Sequence, residues 1–252
     1  MIERVPTGIY GLDELIEGGF PKGRTILVSG GTGAGKTIFG MQYLYRGAVD
    51  YGEPGVFVTL DEKPSLIRQD MSRFGWDIEK LEKKNMLAIL DASSARAGFP
   101  SEERYRIPDT TLDIDKLLLK IMQVADQLKA KRLVIDSVAG LSAHIDTEAE
   151  VRRTILKVNY MLMRTDTTAI ITSEVAEQGF GSGPMRFSKY GVEEYVADGV
   201  MVLHYLGFGT ADARTLYVRK MRGTRHVEDV LPMHITQKGI MVSRPQEMGK
   251  NF

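Results

Sequence analysis

The stretch GGTGAGKT, Gly30 to Thr37, satisfies the spacing G-x-x-x-x-G-K-[S/T] in full. Its chemistry is that of a phosphate cradle. Glycines let backbone N–H groups turn inward on phosphate oxygens, a following helix adds the positive end of its dipole, and Lys36 supplies a mobile cation. The expected phosphate-binding residues are Gly30, Gly31, Thr32, Gly33, Ala34, Gly35, Lys36, Thr37 and Ile38. A plain glycine-rich turn before a helix would need neither the lysine nor the threonine in register.

Binding becomes hydrolysis when a magnesium anchor and a group that orients water are added. Asp136 follows the apolar run Leu133-Val134-Ile135 and would sit at the carboxyl end of a strand, where open α/β sheets hold ligands. It would hold the hydration shell of Mg²⁺ while the Thr37 hydroxyl coordinates the ion. Its other reading is a cap on the turn after the strand. Asp61 and Glu62 also end a buried strand. Because successive side chains point to opposite faces, one of the two would face the terminal phosphate and polarise water. Read without the other motifs, they are an acidic turn before the helix that starts at Pro64. Thr172 and Ser173 end a further strand, where a hydroxyl, with Ser173 the candidate, could sense the γ-phosphate or simply cap the chain. Lys220 and Arg222, two apart in an extended segment, would form a paired cationic probe for phosphate. Equally, cations at a sheet end serve solubility and discourage edge pairing.

These residues need a particular scaffold. Thr25 to Val28 is a short apolar strand, and Phe39, Tyr43, Leu44 and Ala48 recur at helical spacing after the loop. Further buried strands are expected at Gly55–Leu60, Met86–Asp91, Arg132–Ile135 and Thr168–Glu174, apolar without alternation, as in a parallel sheet covered on both faces. Helices are expected from Pro64 to Phe74, around Leu117–Leu128 and over Glu148–Met163. The stretch from Ala92 to Thr111 is polar, with two prolines and little periodicity, and is expected to be a mobile excursion. Four closely spaced strands near 199–205, 215–221, 230–235 and 239–242 predict antiparallel hairpins, one turning at Gln237-Lys238-Gly239. The fold class is therefore α/β: a mostly parallel central sheet flanked by helices and carrying the phosphate loop, with C-terminal antiparallel strands. It forms one domain over 1–252, with a lead-in at 1–24 and the core at 25–252.

Bulk composition narrows the partners. Lys plus Arg and Asp plus Glu are 33 each among 252 residues, so no global field recruits nucleic acid or an acidic membrane. There is no cysteine, which excludes disulfides, thiolate zinc sites and thiol catalysis. No apolar run approaches membrane-spanning length, and a cytoplasmic location is expected.

Several segments, taken together and in order, resemble the KaiC-like branch of the RecA superfamily. They are the lead-in Thr7-Gly8, Gly11-Leu12-Asp13-Glu14-Leu15-Ile16 and Gly18-Gly19; the phosphate loop; Phe57-Val58-Thr59-Leu60-Asp61-Glu62; Val134-Ile135-Asp136-Ser137; and Lys220-Met221-Arg222-Gly223-Thr224 with His226. The chain resembles a single copy of the domain that the circadian-clock ATPase carries in duplicate. The resemblance implies a RecA-like P-loop NTPase core assembling as a homo-oligomeric ring, commonly a hexamer, with ATP and Mg²⁺ between neighbours. Lys36, Asp61 and Glu62 would serve catalysis, Thr37 and Asp136 the metal. It also implies that Lys220, Arg222 and His226 reach the neighbour's nucleotide in trans. The family's acidic pair is often two glutamates, and here the first is Asp61, which leaves open which carboxylate is the base. Glu194-Tyr195-Val196-Ala197-Asp198 stands where the clock protein has its phosphorylated Ser and Thr, so self-kinase activity is not expected.

Two rival functions follow. A recombinase-like DNA-binding ATPase would use the 179–190 segment, where Gly181, Gly183, Arg186, Phe187 and Lys189 suit single-strand contacts. A non-hydrolysing nucleotide sensor would serve as a platform for an unidentified protein partner.

Overall fold

The computed structural model describes residues 2–142, 147–175, 188–205 and 214–244. Its centre is a ten-stranded sheet. In chain order the elements begin with the lead-in strands β1 (Arg4–Val5) and β2 (Phe20–Pro21), then β3 (Thr25–Gly30), α1 (Lys36–Asp50), β4 (Gly55–Thr59), α2 (Pro64–Ser72), α3 (Ile78–Lys83) and β5 (Leu87–Asp91). After these come α4 (Ser93–Arg96), β6 (Tyr105–Arg106), α5 (Ile114–Leu128), β7 (Arg132–Asp136), α6 (Glu148–Leu162) and β8 (Thr168–Glu174). The chain continues with α7 (Glu193–Val196), β9 (Gly199–Tyr205), β10 (Arg214–Met221), β11 (Val230–Thr236) and β12 (Gly239–Val242).

The sheet order is β12-β11-β10-β9-β3-β8-β7-β4-β5-β6, parallel from β9 to β6 and antiparallel from β9 to β12. Both faces are covered. Ile26 and Val28 of β3 and Phe57 of β4 enter the core under α1 to α3, whereas Leu27, Val56 and Val58 enter the one under α5 and α6. Alternate residues of one strand thus feed opposite cores, which is why the strands read as continuous apolar runs. From β3 the chain moves through α1 to β4, three strands away past β8 and β7, while β9 flanks β3 on its other side. The phosphate loop therefore leaves the sheet where the strand order diverges, the usual position for a ligand crevice.

The lead-in docks on the C-terminal strands. Val242 N donates to Tyr10 O at 2.9 Å, and Val227 N donates to Leu15 O at 3.2 Å. The buried Gln42 amide of α1 ties both parts to the phosphate-loop helix: Nε2 donates to Gly8 O and Ile240 O, each at 3.0 Å, and Oε1 accepts from Ile240 N at 2.6 Å.

The expectation of a mobile excursion over Ala92–Thr111 is corrected. The segment contains α4 and β6, and β6 adds to the sheet beside β5. Arg68 of α2 grips Glu82 and Glu103 with paired hydrogen bonds of 2.7 to 2.9 Å, fastening the segment to α2 and α3. Sequence periodicity misses it because the holding contacts are ion pairs between distant positions.

Arg132, at the start of β7, is fully buried. Its Nε meets Glu53 at 2.7 Å, its Nη1 donates to Tyr43 O at 2.9 Å, and the guanidinium lies 4.5 Å from the centre of the Tyr43 ring. Room for it comes from Gly47 of α1, where an added Cβ would stand 2.3 Å from Arg132 Nε. In an open helix Gly→Ala would gain roughly 1 kcal/mol. Here overpacking outweighs that gain, and Gly47→Ala should destabilise the fold by about 1–3 kcal/mol in urea unfolding. A stabilised variant would refute this account of Gly47.

Candidate functional site

Three strand ends converge on one edge of the sheet. At the first, β3 ends in Gly30, and residues 31–35 turn into α1. Gly33 (φ 74°) and Gly35 (φ 101°) take left-handed conformations that favour glycine. Gly30 has no room for a side chain, since a Cβ would lie 2.5 Å from Leu203 O. No side chain caps α1, so the amides of its first turn remain for an anion. Lys36 Nζ folds back to Gly30 O at 2.8 Å and Gly31 O at 2.9 Å, spanning the loop. Burial lowers its pKa, opposed by the negative charges of Asp136, Glu174 and Asp61.

The second end brings Asp136. Thr37 Oγ1 donates to Asp136 Oδ2 at 2.7 Å, and Thr172 Oγ1 donates to the other oxygen. The two expected metal ligands are thus in contact. Burial holds the Asp136 carboxyl above its usual range against the opposing pull of those two hydroxyls. A divalent cation between Thr37 and Asp136 would reverse that balance. The donor set of one hydroxyl and one carboxylate beside a phosphate cradle fits Mg²⁺, which keeps several waters when bound.

At the third end, β4 leads into Leu60, Asp61 and Glu62. Asp61 is fully engaged: Oδ2 accepts from Ser137 Oγ at 2.8 Å, and Oδ1 accepts from Arg96. Glu62 is held by its backbone, its carbonyl accepting from Thr59 Oγ1 at 2.6 Å and its N–H donating to the same atom at 3.2 Å. Its carboxylate stays clear of these bonds. Partial burial, then the charges of Asp136, Asp70 and Asp61, raise its pKa. One acid anchors the turn, and the other follows it three residues beyond Thr59, the β4 partner of Asp136.

The remaining expected residues lie elsewhere. Ser173 does not join the phosphate loop: its hydroxyl donates to Glu193 at 3.0 Å, and that carboxylate is fully buried and also accepts from Val192 N. Of the two hydroxyls that end β8, Thr172 is the one that meets Asp136, as alternation along a strand requires. Lys220 and Arg222 do not share a face of one extended strand. The register shifts between Val218 and Lys220, β10 ends at Met221, and Arg222 falls in the turn beyond. Lys220 Nζ donates to Ala197 O at 2.7 Å and Glu194 O at 3.2 Å, and Arg222 lies 3.6 Å from Asp198. Burial, with Arg222 nearby, lowers the pKa of Lys220. His226 Nδ1 stands 3.1 Å from Val227 O. Met221 pairs with Gly199, which pairs with Ile26, whereas the phosphate loop departs from Gly30. About 13 Å of strand separates the two levels. The basic turn is therefore at the opposite end of the sheet from its own chain's phosphate loop. Of the 179–190 segment, Gly181, Gly183, Arg186 and Phe187 lie outside the described residues. Lys189 stands 3.9 Å from Glu174.

Two neighbours of the loop escaped the sequence reading. Arg214 donates from Nε and Nη2 to Gly33 O, both at 3.2 Å, and stacks 3.9 Å from the centre of the Tyr205 ring. They are cross-strand partners of β9 and β10, and a hairpin reading of those strands was the available signal. Arg96 had no signal at all. Among the described residues, no helix is long and apolar enough to cross a membrane.

Comparison with known proteins agrees with this fold. A UPF0273 protein of Pyrococcus furiosus is 41% identical over 245 residues, 96% of this chain and 94% of that protein. The circadian clock oscillator protein KaiC of Parathermosynechococcus lividus is 39% identical over 241 residues, 96% of this chain but 42% of that protein. The chain thus spans less than half the length of the clock protein it matches. A crystal structure of a KaiC-like protein from Pyrococcus horikoshii OT3 superposes with a TM-score of 0.81 at 40% identity, covering 97% of this chain and 100% of that one. A family profile described as ATPase: KaiC matches residues 5–247. With the phosphate loop, the aspartate and the acidic turn assembled on that fold, the chain belongs to the KaiC family of ATPases.

Proposed function

We propose that this chain binds Mg²⁺-ATP and hydrolyses it slowly at sites shared between copies in a closed ring, a hexamer being the expected form, with nucleotide state acting as a conformational switch. The observation that carries the hydrolytic part is the 2.7 Å contact between Thr37 and Asp136, with Glu62 three residues beyond Thr59, the neighbouring strand's partner of Asp136.

The residues divide the work as follows. The amides of Gly31 to Ile38 and the Lys36 ammonium bind the phosphates, and Lys36 exchanges its two loop carbonyls for phosphate oxygens. Thr37 and Asp136 would hold Mg²⁺, which when bound neutralises charge on the β- and γ-phosphate oxygens. Glu62 accepts a hydrogen bond from the attacking water and takes its proton as the water oxygen bonds to the γ-phosphorus and the bond from that phosphorus to the β–γ bridging oxygen breaks, releasing ADP and phosphate. Asp61 holds the turn. Lys220 and Arg222, remote from their own chain's loop, are lent to the neighbouring copy, with His226 in the same turn. Reaching a phosphate requires Lys220 to leave the carbonyls of Ala197 and Glu194. The switch is thus the release of these basic side chains from their own chain.

Phosphate release against time decides between an ATPase and a sensor. The expected result is many phosphates per subunit. Thr37→Val should raise the Mg²⁺ concentration needed for half-maximal turnover about ten-fold. A single phosphate per subunit, followed by none, would leave only the sensor.

A further inference from the structure

The turn that carries Asp61 and Glu62 is held by a residue from the far edge of the sheet. Arg96 Nη1 donates to Leu60 O at 3.0 Å and to Asp61 Oδ1. The second oxygen of Asp61 accepts from Ser137, the residue after the metal aspartate. Asp61 therefore bridges Arg96 to the end of β7. From the other side Gly140 backs the turn so closely that an added Cβ would lie 2.6 Å from Leu60 Cβ.

Arg96 is itself fixed. It closes α4, which is anchored by the buried Asp91 at the end of β5. That carboxylate accepts from Ser93 Oγ at 2.8 Å, Ser94 Oγ at 2.6 Å, Ser94 N at 3.1 Å and Ser101 Oγ at 2.6 Å. Burial opposes its ionisation, but the hydroxyls of Ser101, Ser94 and Ser93 outweigh burial and keep the carboxyl below its usual range. The result is a relay of contacts from the edge strand to the acidic turn. A half-exposed arginine–aspartate pair contributes little to stability. What these contacts supply is geometry: two anchors on Asp61, one on Leu60 and a packed glycine leave the turn one place to sit.

We propose that Arg96 is a positioning residue of the hydrolytic centre, fixing Leu60 and Asp61 and through them the placement of the adjacent Glu62. The proposal rests on the reading of Glu62 as the base. It gives the stretch between β5 and α5 a role in turnover and explains why Asp61 can be one methylene shorter than glutamate: it reaches for Arg96 and Ser137, not for water.

The test uses the full chain with Arg96→Met, Arg96→Lys, Asp61→Asn, Arg96→Met/Asp61→Asn and Glu62→Gln. It measures kcat, KM, equilibrium ATP affinity and the thermal midpoint. Arg96→Met should lower kcat roughly 10- to 100-fold, the range for lost support of a catalytic group. KM and ATP affinity should stay within about 3-fold, with the thermal midpoint almost unmoved. Arg96→Lys should recover much of the rate. On the Asp61→Asn background, Arg96→Met should cost several-fold less than in the wild type, because the charge-assisted half of what Arg96 supplies is already lost and only its bond to Leu60 O remains to be removed in full. A kcat within 2-fold of wild type in Arg96→Met, while Glu62→Gln is inactive, would overturn the proposal. So would a fall in kcat matched by a lowered thermal midpoint and unrescued by lysine. An active Glu62→Gln would instead remove Glu62 as the base, and loss of rate in Arg96→Met would then assign the positioning role to Asp61 alone.

Discussion

Glu62→Gln is expected to lower phosphate release from ATP by about 10²- to 10⁴-fold while leaving ATP binding within a few-fold, the range for loss of a positioned general base. The substitution keeps the shape and one hydrogen-bonding oxygen and removes the proton acceptor. Because the backbone of Glu62 is held by Thr59 through both its N–H and its carbonyl, the turn should survive. Asp61→Asn should cost less, since Asp61 is occupied by Ser137 and Arg96. The pH profile gives the sign. Partial burial first, then Asp136, Asp70 and Asp61, raise the Glu62 pKa. A base works only when deprotonated. Turnover should therefore rise with pH through a limb above the ordinary glutamate range, and Glu62→Gln should flatten that limb. Wild-type turnover that stays level down to the pH of a free glutamate would remove Glu62 from the mechanism, as would a Glu62→Gln variant at full rate.

The contrast between these neighbouring acids marks where sequence stops being sufficient. The phosphate loop, Asp136 and the strands bearing them were legible because each depends on local signals: a fixed spacing, an apolar run, a carboxylate at its end. The C-terminal hairpins were legible for the same reason, and the pairing of Thr236 with Gly239 places the β11–β12 turn at Gln237-Lys238. Which of Asp61 and Glu62 is free was not legible. It depends on Arg96, which lies 35 positions away in a stretch without periodicity. Ser173 was preferred over Thr172 because position alone does not give direction. Once β8 is seated beside β3 and β7, Thr172 meets Asp136 and Ser173 meets Glu193.

Sheet order was the other missing element, and it bears directly on the basic turn. Spacing suggested two cations on one face of a strand. Only the pairing of β10 with β9, and of β9 with β3, reveals that Lys220 and Arg222 stand at the end of the sheet where β3 begins. In the free chain both are engaged, Lys220 by the carbonyls of Glu194 and Ala197 and Arg222 by Asp198. These contacts keep two like charges together when no phosphate is near. Asp198 also receives Arg24 at 3.0 Å, so the acid that steadies Arg222 is fixed beside the first residues of β3.

That placement leads to the second large effect. Arg222→Ala should lower turnover about 10³-fold or more, the contribution of an arginine finger to transition-state charge, with a much smaller loss of ATP affinity. Lys36→Ala should abolish turnover by removing the phosphate-binding ammonium. Each variant alone would be inactive for a different reason. In a mixed ring, some boundaries join an intact phosphate loop from an Arg222→Ala copy to an intact basic turn from a Lys36→Ala copy. Activity should return at those boundaries and rise with the fraction of mixed contacts, whereas either protein diluted with buffer gains nothing. Mixed assembly is established independently by mass measurement with one copy tagged. No recovery in rings shown to be mixed would overturn the lending of Arg222 across the boundary. A chain that remains monomeric at all concentrations yet turns over at the full rate would overturn the shared site altogether, because Arg222 of an isolated chain is at the far end of its own sheet from the phosphate loop.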